Sequence, residues 1–530
     1  MSWSGWGDPA QRVPLSESAL TMLREELPGA VPAAPVELED VSLPPARDLP
    51  SALSPFTTSR ERADRIRCAA GKSYPDLVRI RSGVIGRAPD AVLLPASTDE
   101  ITAILKACAR EGVAVVPFGG GTSVVGGVDP EPGAHQRVVA LDLRRLGHFS
   151  LDRRSMTAQL GSGLLGPQAE AALADHGFTL GHFPQSFEFA TIGGFAATRS
   201  AGQASAGYGR FDDLVSAARM VTPEGMLATL ETPHTAAGPA LRELIVGSEG
   251  TLGVISDVTV RVRPAPSVKR YEGWIAADFE AGYAAVRALA QAGALPDVCR
   301  LSDRDESRVS LAMSSTQGLA RRAFEAYVGI RGRGGGCIMI AGWEGAGDEV
   351  RRRRAASVAI LRRHGVVPLG KAPGRAWAHG RFRGPYLRDE LMDRGYFVET
   401  LETSHTWARY GELYEAVGAA IRDALAAQGT PGIVMCHLSH AYSDGASLYY
   451  TFIAPRLEGR EIEQWRRAKT AACEAIVTHG GTITHHHAVG RDHAPYMTAE
   501  VGALGVDALR AIKDRLDPAG IMNPGKLLPG

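Results

Sequence analysis

The stretch that decides the fold runs from Val115 to Gly127 and reads VVPFGGGTSVVGG. An apolar run, typical of a buried strand, leads directly into three consecutive glycines and two hydroxyl side chains. Because glycine has no Cβ, successive backbone N–H groups can approach a pyrophosphate, and Thr122 and Ser123 add further donors. A tight turn between strands would explain a lone glycine-rich loop equally well. The loop therefore predicts a phosphate cradle that needs support from other segments.

Neither of the common glycine-rich nucleotide motifs fits this loop. No helix with GxGxxG spacing follows it, so the dinucleotide-binding βαβ interpretation fails. The loop also lacks the lysine of a P-loop. A phosphate cradle at this position must therefore belong to a different fold.

Length and composition narrow the class of protein. At 530 residues the chain exceeds what one core usually organises, so we expect two domains with terminal extensions. Lys plus Arg and Asp plus Glu number 58 each, which removes the electrostatic argument for nucleic-acid binding. The six cysteines show no CxxC spacing, which indicates a reducing compartment without disulfides or structural zinc. With no secretory pattern and no long apolar run, we expect a cytoplasmic protein, soluble or at most peripheral to the inner face of the membrane.

Changes in pattern along the chain predict an α+β protein of four regions. Residues 1–86 mix short amphipathic pieces with a Pro-rich run and are predicted to form an N-terminal helical arm. Strands and helices then alternate over 87–265, the size of a cofactor-binding domain. Residues 266–483 predict a cap domain with an antiparallel sheet covered by helices. Residues 484–530 form a C-terminal segment.

Three further segments support the cradle because they occur in a specific order. QSFEFAT is followed by IGG, then by TRSA, and later by GSEGTLGVI. Together with PFGGGTS they resemble the four FAD-contacting segments of the vanillyl-alcohol-oxidase superfamily. The resemblance implies a PCMH-type FAD-binding domain made of two α+β subdomains. It assigns cofactor binding to Pro117, Phe118, Gly119, Gly120, Gly121, Thr122, Ser123, Gln185, Ser186, Phe187, Glu188, Phe189, Ala190, Thr191, Thr198, Arg199, Ser200, Ala201, Glu249, Gly250, Thr251, Leu252, Gly253, Val254 and Ile255.

The same resemblance bears on how the flavin is held. Covalent members of the superfamily use a His or a Cys for the bond to the isoalloxazine ring. The loop from Pro117 to Ser123 contains neither residue type, and Cys108 lies earlier, in the preceding helix. We therefore expect FAD to be bound non-covalently.

Two segments separate the large branches that share this flavin domain. D-2-hydroxyacid dehydrogenases typically place a metal on a GDGNLH strand and an EHG turn, where this chain reads DGASLYY and GTITHHHAVGR. Tyr449 stands in place of the metal-binding His and His486 in place of the Glu, so a divalent ion loses two ligands. We predict no metal, and His437 and His440 leave a zinc site as the open alternative.

Nearly the whole chain is similar to the alkyldihydroxyacetone-phosphate synthase family. MSWSGWG resembles its N-terminal signature, FEFATIGGFAATRSAG its flavin-domain core, and GTITHHHAVG its triple histidine. PDVCRLSD and PYLRD resemble its two substrate-arginine segments, which makes Arg300 and Arg388 the predicted phosphate ligands. Two departures are Ala488, where the family usually has Gly, and the poor match over 304–345, which leaves the apolar substrate undefined.

The resemblance implies a specific reaction. A long-chain alcohol replaces the acyl chain of acyl-dihydroxyacetone phosphate through an adduct at flavin N5, without net redox change, in ether lipid synthesis. It implies Tyr449 as the acid and base and His485, His486 and His487 as catalytic donors, the C-terminal segment thereby completing the active site. It also implies a homodimer. A packed strand aromatic and a surface run of histidines are the ordinary explanations for the same residues.

Local geometry and membrane contact can also be predicted. In a strand, Tyr450 faces away from Tyr449, and in an extended segment His485 and His487 share one face while His486 takes the other. Because both substrates are amphiphiles, we expect peripheral membrane contact through the cap. The candidate is the helix LARRAFEAYVGI, for which an ordinary core-facing role is the alternative. Its predicted apolar stripe comprises Leu319, Ala323, Ala326 and Tyr327, with Arg321 and Arg322 beside it.

Two other functions stay open at this point. The flavin domain alone is equally compatible with a FAD-linked oxidase or dehydrogenase of a small 2-hydroxy acid. A catalytically silent flavin-binding protein, using the fold for assembly, would also carry these segments. Rapid bleaching of the flavin by hydroxy acids would favour the dehydrogenase, and an unreactive flavin would favour the silent protein.

Overall fold

The computed structural model describes residues 2–12, 14–313 and 318–530. Helices and strands alternate throughout, and most of the strands belong to three sheets. The α-helices are α1 (Glu17–Glu26), α2 (Arg62–Arg67), α3 (Tyr74–Arg81), α4 (Thr98–Glu111), α5 (Gly166–Ala174), α6 (Ile192–Ala197), α7 (Ser205–Tyr208), α8 (Phe211–Leu214), α9 (Arg242–Ile245), α10 (Phe279–Gln291), α11 (Arg304–Met313), α12 (Gly318–Ile330), α13 (Gly347–Arg363), α14 (Lys371–Gly380), α15 (Gly384–Asp393), α16 (Tyr410–Ala426), α17 (Glu461–Thr478) and α18 (Met497–Leu516). The β-strands are β1 (Thr58–Ser59), β2 (Ala91–Leu93), β3 (Val113–Phe118), β4 (Arg137–Asp142), β5 (Phe149–Asp152), β6 (Thr157–Gly161), β7 (Phe178–Thr179), β8 (Val215–Thr222), β9 (Gly225–Ala228), β10 (Val254–Arg261), β11 (Arg263–Pro264), β12 (Val268–Ala276), β13 (Val298–Ser302), β14 (Cys337–Gly345), β15 (Val367–Gly370), β16 (Tyr396–Thr406), β17 (Ile433–Leu438) and β18 (Gly445–Pro455).

The glycine-rich loop belongs to a region of two small sheets. In the first sheet, of order β1-β2-β4-β3, the strands β2, β4 and β3 run parallel, and α4 makes the crossover from β2 to β3. Ser97 caps α4 by accepting from Glu100 N–H at 3.2 Å, and Gly112 ends the helix with φ +61°. The second sheet, β5-β6-β10-β8-β9, is antiparallel. This arrangement confirms the predicted α+β fold with two subdomains.

The cap is built on one seven-stranded sheet of order β15-β12-β14-β13-β17-β18-β16. Every neighbouring pair in it is antiparallel, as the alternating pattern predicts. The largest core lies on one face, where α10, α13, α16 and α17 bury side chains such as Trp343, Phe397 and Phe452 against the sheet. The opposite face carries both polar side chains and the apolar Val398, Met435 and Ile453, and it positions the site described below.

Both chain ends pack back onto this body. Ser16 at the start of α1 donates its hydroxyl to Ala312 O of α11 at 3.0 Å, so the N-terminal arm lies against the cap. The C-terminal segment returns to the first sheet, where Val115 N–H donates to Ile521 O at 2.8 Å and Asn523 N–H donates to Val115 O at 2.9 Å. The triple histidine therefore lies between the flavin-domain sheets and the cap sheet.

Some element boundaries differ from the pattern-based expectation. The sequence pattern predicts a helix from Val506 to Leu516, but α18 begins earlier, at Met497, and is interrupted at Gly502, whose φ is +76°. The pattern also predicts a helix from Pro239 to Val246, where the structure has only the short α9. Among the described residues, no helix combines the length and the apolar character needed to cross a bilayer.

Candidate active site

A cavity of about 520 Å³ lies where the flavin-domain sheets, the cap sheet and the N-terminal segment meet. The glycine-rich loop forms one wall, and the second face of the cap sheet, with polar and apolar side chains, forms another. Trp6 of the sequence MSWSGWG also lines it, and its backbone N–H donates to Asp389 Oδ2 at 2.5 Å. The residues predicted to bind cofactor and those predicted to act on substrate therefore face one shared space.

Close packing around the loop leaves no room for a side chain at its glycines. A Cβ on Gly120 would lie 1.9 Å from Phe189 O, and one on Gly119 would lie 2.3 Å from Thr191 Oγ1. Gly121 adopts φ +67°, where side chains are strained. In the described part of the chain, no backbone carbonyl accepts from the N–H groups of residues 119–123. These donors face the cavity wall and fit the pyrophosphate of FAD.

Most of the predicted cofactor segments do line the cavity. Glu249 is buried there and accepts from Val489 N–H at 2.8 Å and from Gly490 N–H at 2.7 Å. Burial raises its pKa to about 7, with both N–H groups opposing that rise. The predicted residues found in the lining are Pro117, Phe118, Gly119, Gly120, Gly121, Thr122, Ser123, Gln185, Ser186, Ala190, Thr191, Thr198, Ser200, Ala201, Glu249, Gly250, Gly253 and Ile255.

Seven of the predicted residues stand behind the wall instead. Leu252 belongs to a hydrophobic core cluster, and Val254 packs in the core around the first sheet. Arg199 has φ +49° and donates to Val246 O and Glu243 O, away from the cavity. A contiguous motif includes such residues because alternate side chains of a turn or strand point to opposite sides. The set outside the lining is Phe187, Glu188, Phe189, Arg199, Thr251, Leu252 and Val254.

Four strands of the cap sheet bring their polar residues into one row. His437 of β17 pairs with Tyr449 of β18, which in turn pairs with Glu402 of β16. Arg300 of β13 lies two residues before Ser302, the partner of His437, so its side chain is on the same face. The order across the sheet is therefore Arg300, His437, Tyr449 and Glu402.

Tyr449 lies at the centre of this row. Its ring stacks on that of His437 with centroids 4.7 Å apart and planes 18° apart, and the ring of His487 meets it edge-on at 5.3 Å. Burial raises the pKa of Tyr449 to about 12, so the phenol is protonated near neutral pH. Tyr450 points to the opposite face and is buried in the main core, in agreement with the strand-based prediction.

Arg300 is tied into a buried ionic cluster. Its Nη1 lies 3.0 Å from Nε2 of His437, and its Nη2 donates to Glu306 Oε1 at 2.7 Å. The same Glu306 oxygen lies 3.0 Å from Nδ1 of His437. Burial would raise the pKa of Glu306, but Arg300 and His437 lower it well below its usual range. Arg300 thus holds the ring that stacks on Tyr449, in addition to facing the cavity.

Arg388 of α15 has different partners, and two of its nitrogen donors make no hydrogen bond among the described residues. Its Nη1 donates to Lys72 O at 2.7 Å, and Asp389 lies 3.5 Å from Nη2. Within the described part of the chain its buried Nε and Nη2 make no hydrogen bond. Buried guanidinium donors without acceptors are costly, so they indicate a missing anion. The phosphate of a ligand would satisfy them.

The three histidines form a curled segment around one carboxylate. Glu402 accepts from the backbone N–H groups of His485 at 2.5 Å, His486 at 3.0 Å and His487 at 2.8 Å, and from Thr484 Oγ1 at 2.6 Å. The expected extended geometry, with His485 and His487 on one face, is therefore wrong. The curled backbone turns His486 and His487 into the cavity lining and His485 away from it.

His485 instead packs behind the cavity. Its ring stacks on His440 at 5.2 Å, and its Nε2 lies 2.7 Å from the hydroxyl of Tyr442. Its Nδ1 lies 3.0 Å from Nδ1 of His486. Nitrogen atoms of His440, His485 and His486 all lie within 4.8 Å of one another, a compactness that could hold an ion. His440 Nδ1 is already paired with Ser205 Oγ at 2.6 Å.

All of these imidazoles are disfavoured as cations. Burial lowers the pKa of His487 to about 3 and that of His437 to about 4. Burial also lowers the pKa of His440 and His485 well below the usual value, and that of His486 as well. Burial raises the pKa of Glu402, but the three neighbouring histidines outweigh it and lower the net value well below 4.5. The cluster therefore presents neutral rings around one ionised carboxylate.

Sequence patterns did not single out several of these residues. Glu402 and Glu306 have no motif of their own, and Trp377 and Gln203 are further lining residues without a signal. The available signal for Glu402 is that β16 is buried along most of its length yet contains two acidic residues, Glu399 and Glu402. A buried carboxylate needs donors, which predicts a partner segment.

The helix predicted to contact a membrane is only partly as expected. Ala323 and Ala326 are exposed, but Tyr327 is half-buried, and its hydroxyl donates to Pro368 O at 2.8 Å. Phe324 is half-buried, and Ile330 at the end of the helix is 85% exposed. The side chains of Leu319 and Arg321 lie outside the described residues.

Comparisons with known proteins identify the families that this chain resembles. The family model "FAD binding domain" matches residues 89–231, and "FAD linked oxidases, C-terminal domain" matches residues 265–527. The alkyldihydroxyacetonephosphate synthase of Trypanosoma brucei brucei is 36% identical over 470 residues, 87% of this chain and 76% of that protein. That of Dictyostelium discoideum is 31% identical over 572 residues, covering 100% of this chain and 93% of that protein.

A solved structure extends the agreement to the whole fold. An alkyldihydroxyacetonephosphate synthase crystallised in P212121 superposes with a TM-score of 0.85 at 28% identity, covering 99% of this chain and 98% of the other. The predicted FAD-binding α+β domain and the antiparallel cap are therefore both confirmed. On full-length similarity and fold, this chain belongs to the alkyldihydroxyacetonephosphate synthase family.

Proposed function

We propose that this protein exchanges the acyl chain of an acyl-dihydroxyacetone phosphate for a long-chain alcohol, in ether lipid biosynthesis. The observation that carries the proposal is the row of Arg300, His437 and Tyr449 facing the glycine-rich loop across one cavity. A metal-dependent hydroxyacid dehydrogenase would need carboxylate and imidazole ligands where this chain has His486 and Tyr449.

FAD fits the wall opposite the cap sheet. The N–H groups of residues 119–123, which have no backbone partner among the described residues, would hold its pyrophosphate, and the lining segments around Thr191 and Glu249 would flank the rest. When bound, the flavin ring supplies an electrophilic centre for the carbon skeleton without net transfer of electrons. We propose non-covalent binding because the loop offers no His or Cys, and all six cysteines are buried outside the cavity lining.

Arg388 would bind the phosphate of the substrate. Its Nε and Nη2, which make no hydrogen bond among the described residues although Asp389 lies 3.5 Å from Nη2, form the planar pair of donors that suits two phosphate oxygens, whereas Nη1 is fixed by Lys72 O. Arg300 would contribute positive charge from the cap sheet but is anchored by Glu306 and His437. The two arginines would therefore have different roles. Arg388 would bind the phosphate, and Arg300 would also orient the ring of His437 that stacks on Tyr449.

Tyr449 would move the proton at C1 of the substrate. Its phenol is protonated near neutral pH, and the flanking rings of His437 and His487 keep it fixed and shielded from water. His486 and His487, both neutral, would donate to or accept from the ketone and the leaving carboxylate. Their positions depend on the three N–H bonds to Glu402.

One end of the cavity suits a hydrocarbon chain. The apolar side chains there come from α11, α15 and the strands of the cap sheet, next to α1 of the N-terminal arm. An alkyl group would bury its methylene groups against them at roughly 0.8 kcal/mol each. The apolar lining residues are Val309, Met313, Leu387, Leu391, Val398, Met435 and Ile453.

Membrane contact, oligomeric state and location belong to the same proposal. We propose that α12, with the half-buried Phe324 and the exposed Ile330, brings the cap to a bilayer surface from which amphiphilic substrates enter. The homodimer and the cytoplasmic location at the inner face of the membrane stay predictions. Light scattering and cell fractionation test them.

The deciding experiment uses the purified holoprotein with palmitoyl-dihydroxyacetone phosphate and a fatty alcohol. Mass detection of an alkyl ether, together with free palmitate in equal amount, supports the proposal. Anaerobic mixing with small 2-hydroxy acids provides the contrast. Rapid bleaching of the flavin without ether formation would establish a hydroxyacid oxidoreductase instead, and an unreactive flavin without ether would leave a silent flavoprotein.

A further inference from the structure

A row of hydrogen-bonded groups leads from the cavity to the far side of the histidine segment. His486 lines the cavity, and its Nδ1 lies 3.0 Å from Nδ1 of His485. The other ring nitrogen of His485 lies 2.7 Å from the hydroxyl of Tyr442. Tyr442 lines a second pocket of about 490 Å³, whose rim includes the exposed residues Asp444 and Glu500. Three side chains in contact thus run from the lining of the cavity to a residue of the second pocket, and the Tyr442 hydroxyl also lies within hydrogen-bond reach of Arg210.

We infer that Tyr442 and His485 relay a proton between His486 in the cavity and water in the second pocket. The inference rests on the proposed function, because that reaction must release one proton. The bond between C1 and the ester oxygen breaks, and the carboxylate leaves with the electron pair. The new ether bond forms to the alcohol oxygen, which loses its proton. Because a carboxylate stays ionised near neutral pH, each turnover yields ether, carboxylate and one proton.

The row can carry that proton without any ring turning over. In one arrangement His486 donates from Nδ1 to His485, and His485 donates from Nε2 to Tyr442. A proton added to Nε2 of His486 displaces the one on Nδ1, which passes to His485. His485 then releases its Nε2 proton to the Tyr442 oxygen, whose own proton leaves to water. The row ends in its second arrangement, with Tyr442 donating to His485 and His485 donating to His486. The rings and the hydroxyl must then reorient to restore the first arrangement before the next turnover.

The surroundings keep the row neutral at rest. Burial lowers the pKa of His485 and His486 and raises that of Tyr442, so neither a cation nor a phenolate is trapped along it. The carboxylate of Glu402 stands beside the two rings and favours the brief imidazolium of a transfer. The charged and titratable groups that face the row are Arg210, Asp212, Asp213, Glu402, His440 and His487.

A bound ion is the competing use of these rings. Nitrogen atoms of His440, His485 and His486 are close enough to share one metal. Both ring nitrogens of His485, however, already lie at hydrogen-bond distance from protein partners. A metal would have to break the contact with His486 or Tyr442, so a relay and a resident ion exclude each other.

Tyr442→Phe tests the relay with the smallest change, because the ring that packs on His485 at 5.7 Å stays and only the hydroxyl is lost. We expect kcat for ether formation to fall roughly 10-fold or more, while KM for the acyl substrate stays within about 2-fold. Added imidazole buffer, small enough to enter the second pocket, should restore turnover. Tyr410→Phe is the matched control, since its buried hydroxyl donates to Ser447 O outside the row.

The readouts separate the possible outcomes. In Tyr442→Phe, proton release followed with an indicator dye should lag behind ether formation, and the solvent isotope effect on kcat should rise. Unchanged kcat, or a loss that imidazole does not restore, would overturn the relay. A stoichiometric transition metal in the purified holoprotein, removable by chelator together with activity, would also overturn it. Absence of ether with the unaltered protein would reject the proposed function itself, before any variant is compared.

Discussion

Glu402→Gln is the change that most directly tests how the histidine segment is held. Glu402 Oε1 accepts three donors, from Thr484, His486 and His487, and Oε2 accepts the N–H of His485. A glutamine can keep its carbonyl oxygen toward the three donors, which forces its NH₂ group against the remaining N–H. One charge-assisted bond is lost, and a buried N–H is left unpaired.

The expected cost follows from those two effects. Losing a hydrogen bond to a charged group and stranding the buried N–H together destabilise the fold by about 2–4 kcal/mol. For a domain of this size that corresponds to a fall in Tm of roughly 5–15 °C. Because the lost bond is the one that holds His485 N–H, next to His486, we expect the histidine segment to shift and kcat to fall by about 10- to 100-fold. FAD content should stay the same, since the flavin segments lie on the other wall.

The pH dependence of stability tests the electrostatic contribution of the Glu402 carboxylate. The folded-state pKa of Glu402 is well below its usual value of 4.5, so its stabilisation is fully present above pH 4.5 and is lost as pH falls through the folded value. The difference in Tm between wild type and Glu402→Gln should therefore be largest near neutral pH and shrink on acidification below 4.5.

Glu399→Gln is the matched control on the same strand. Glu399 is also buried, but it accepts from Trp465 Nε1 and from Thr400 N–H rather than from the histidines. We expect it to lower Tm without the loss in kcat. Scanning calorimetry and ether formation measured side by side decide the matter. Equal turnover of Glu402→Gln and wild type, or equal losses in both variants, would refute the role assigned to Glu402.

Four further predictions follow from the site. Tyr449→Phe should keep FAD and Tm but lose most turnover, about 100-fold or more, and wild-type activity would remove Tyr449 as acid and base. Arg388→Lys should raise KM for the phosphate substrate by roughly 10- to 100-fold in steady-state assays, because a point charge replaces two planar donors; an unchanged KM would contradict phosphate binding. Acid precipitation should release yellow flavin into the supernatant, whereas flavin in the pellet would indicate a covalent bond. Paired Phe324→Asp and Ile330→Asp changes should reduce flotation with anionic liposomes, while the same flotation as wild type would exclude α12 from membrane contact.

The local sequence was sufficient to predict those features that lie within one short segment. The run from Pro117 to Ser123 has glycines where neighbouring backbone atoms leave no room for a Cβ, so the sequence itself reports the close packing. The alternation in β18 correctly separated Tyr449 from Tyr450. The antiparallel cap and the α+β flavin domain also followed from patterns within single segments.

Where segments far apart in the chain must meet, the pattern was not sufficient. The extended geometry predicted for His485 to His487 failed because Glu402, more than eighty positions earlier, gathers three consecutive N–H groups and curls the backbone. Arg300 and Arg388 look alike as motif arginines, yet one is tied to Glu306 and the other keeps free donors. No local pattern encodes such partners.

The sequence by itself determined the family, the flavin cradle and the residue types of the site, because the glycines, the tyrosine and the histidines occur in short, recognisable motifs. Only the tertiary structure decided which of those residues act together. Strand register sets Arg300, His437, Tyr449 and Glu402 side by side on one sheet face, although they come from four separated strands. Pairing is specified by the packing of whole strands in the core, and a shift of one residue would turn each side chain to the opposite face.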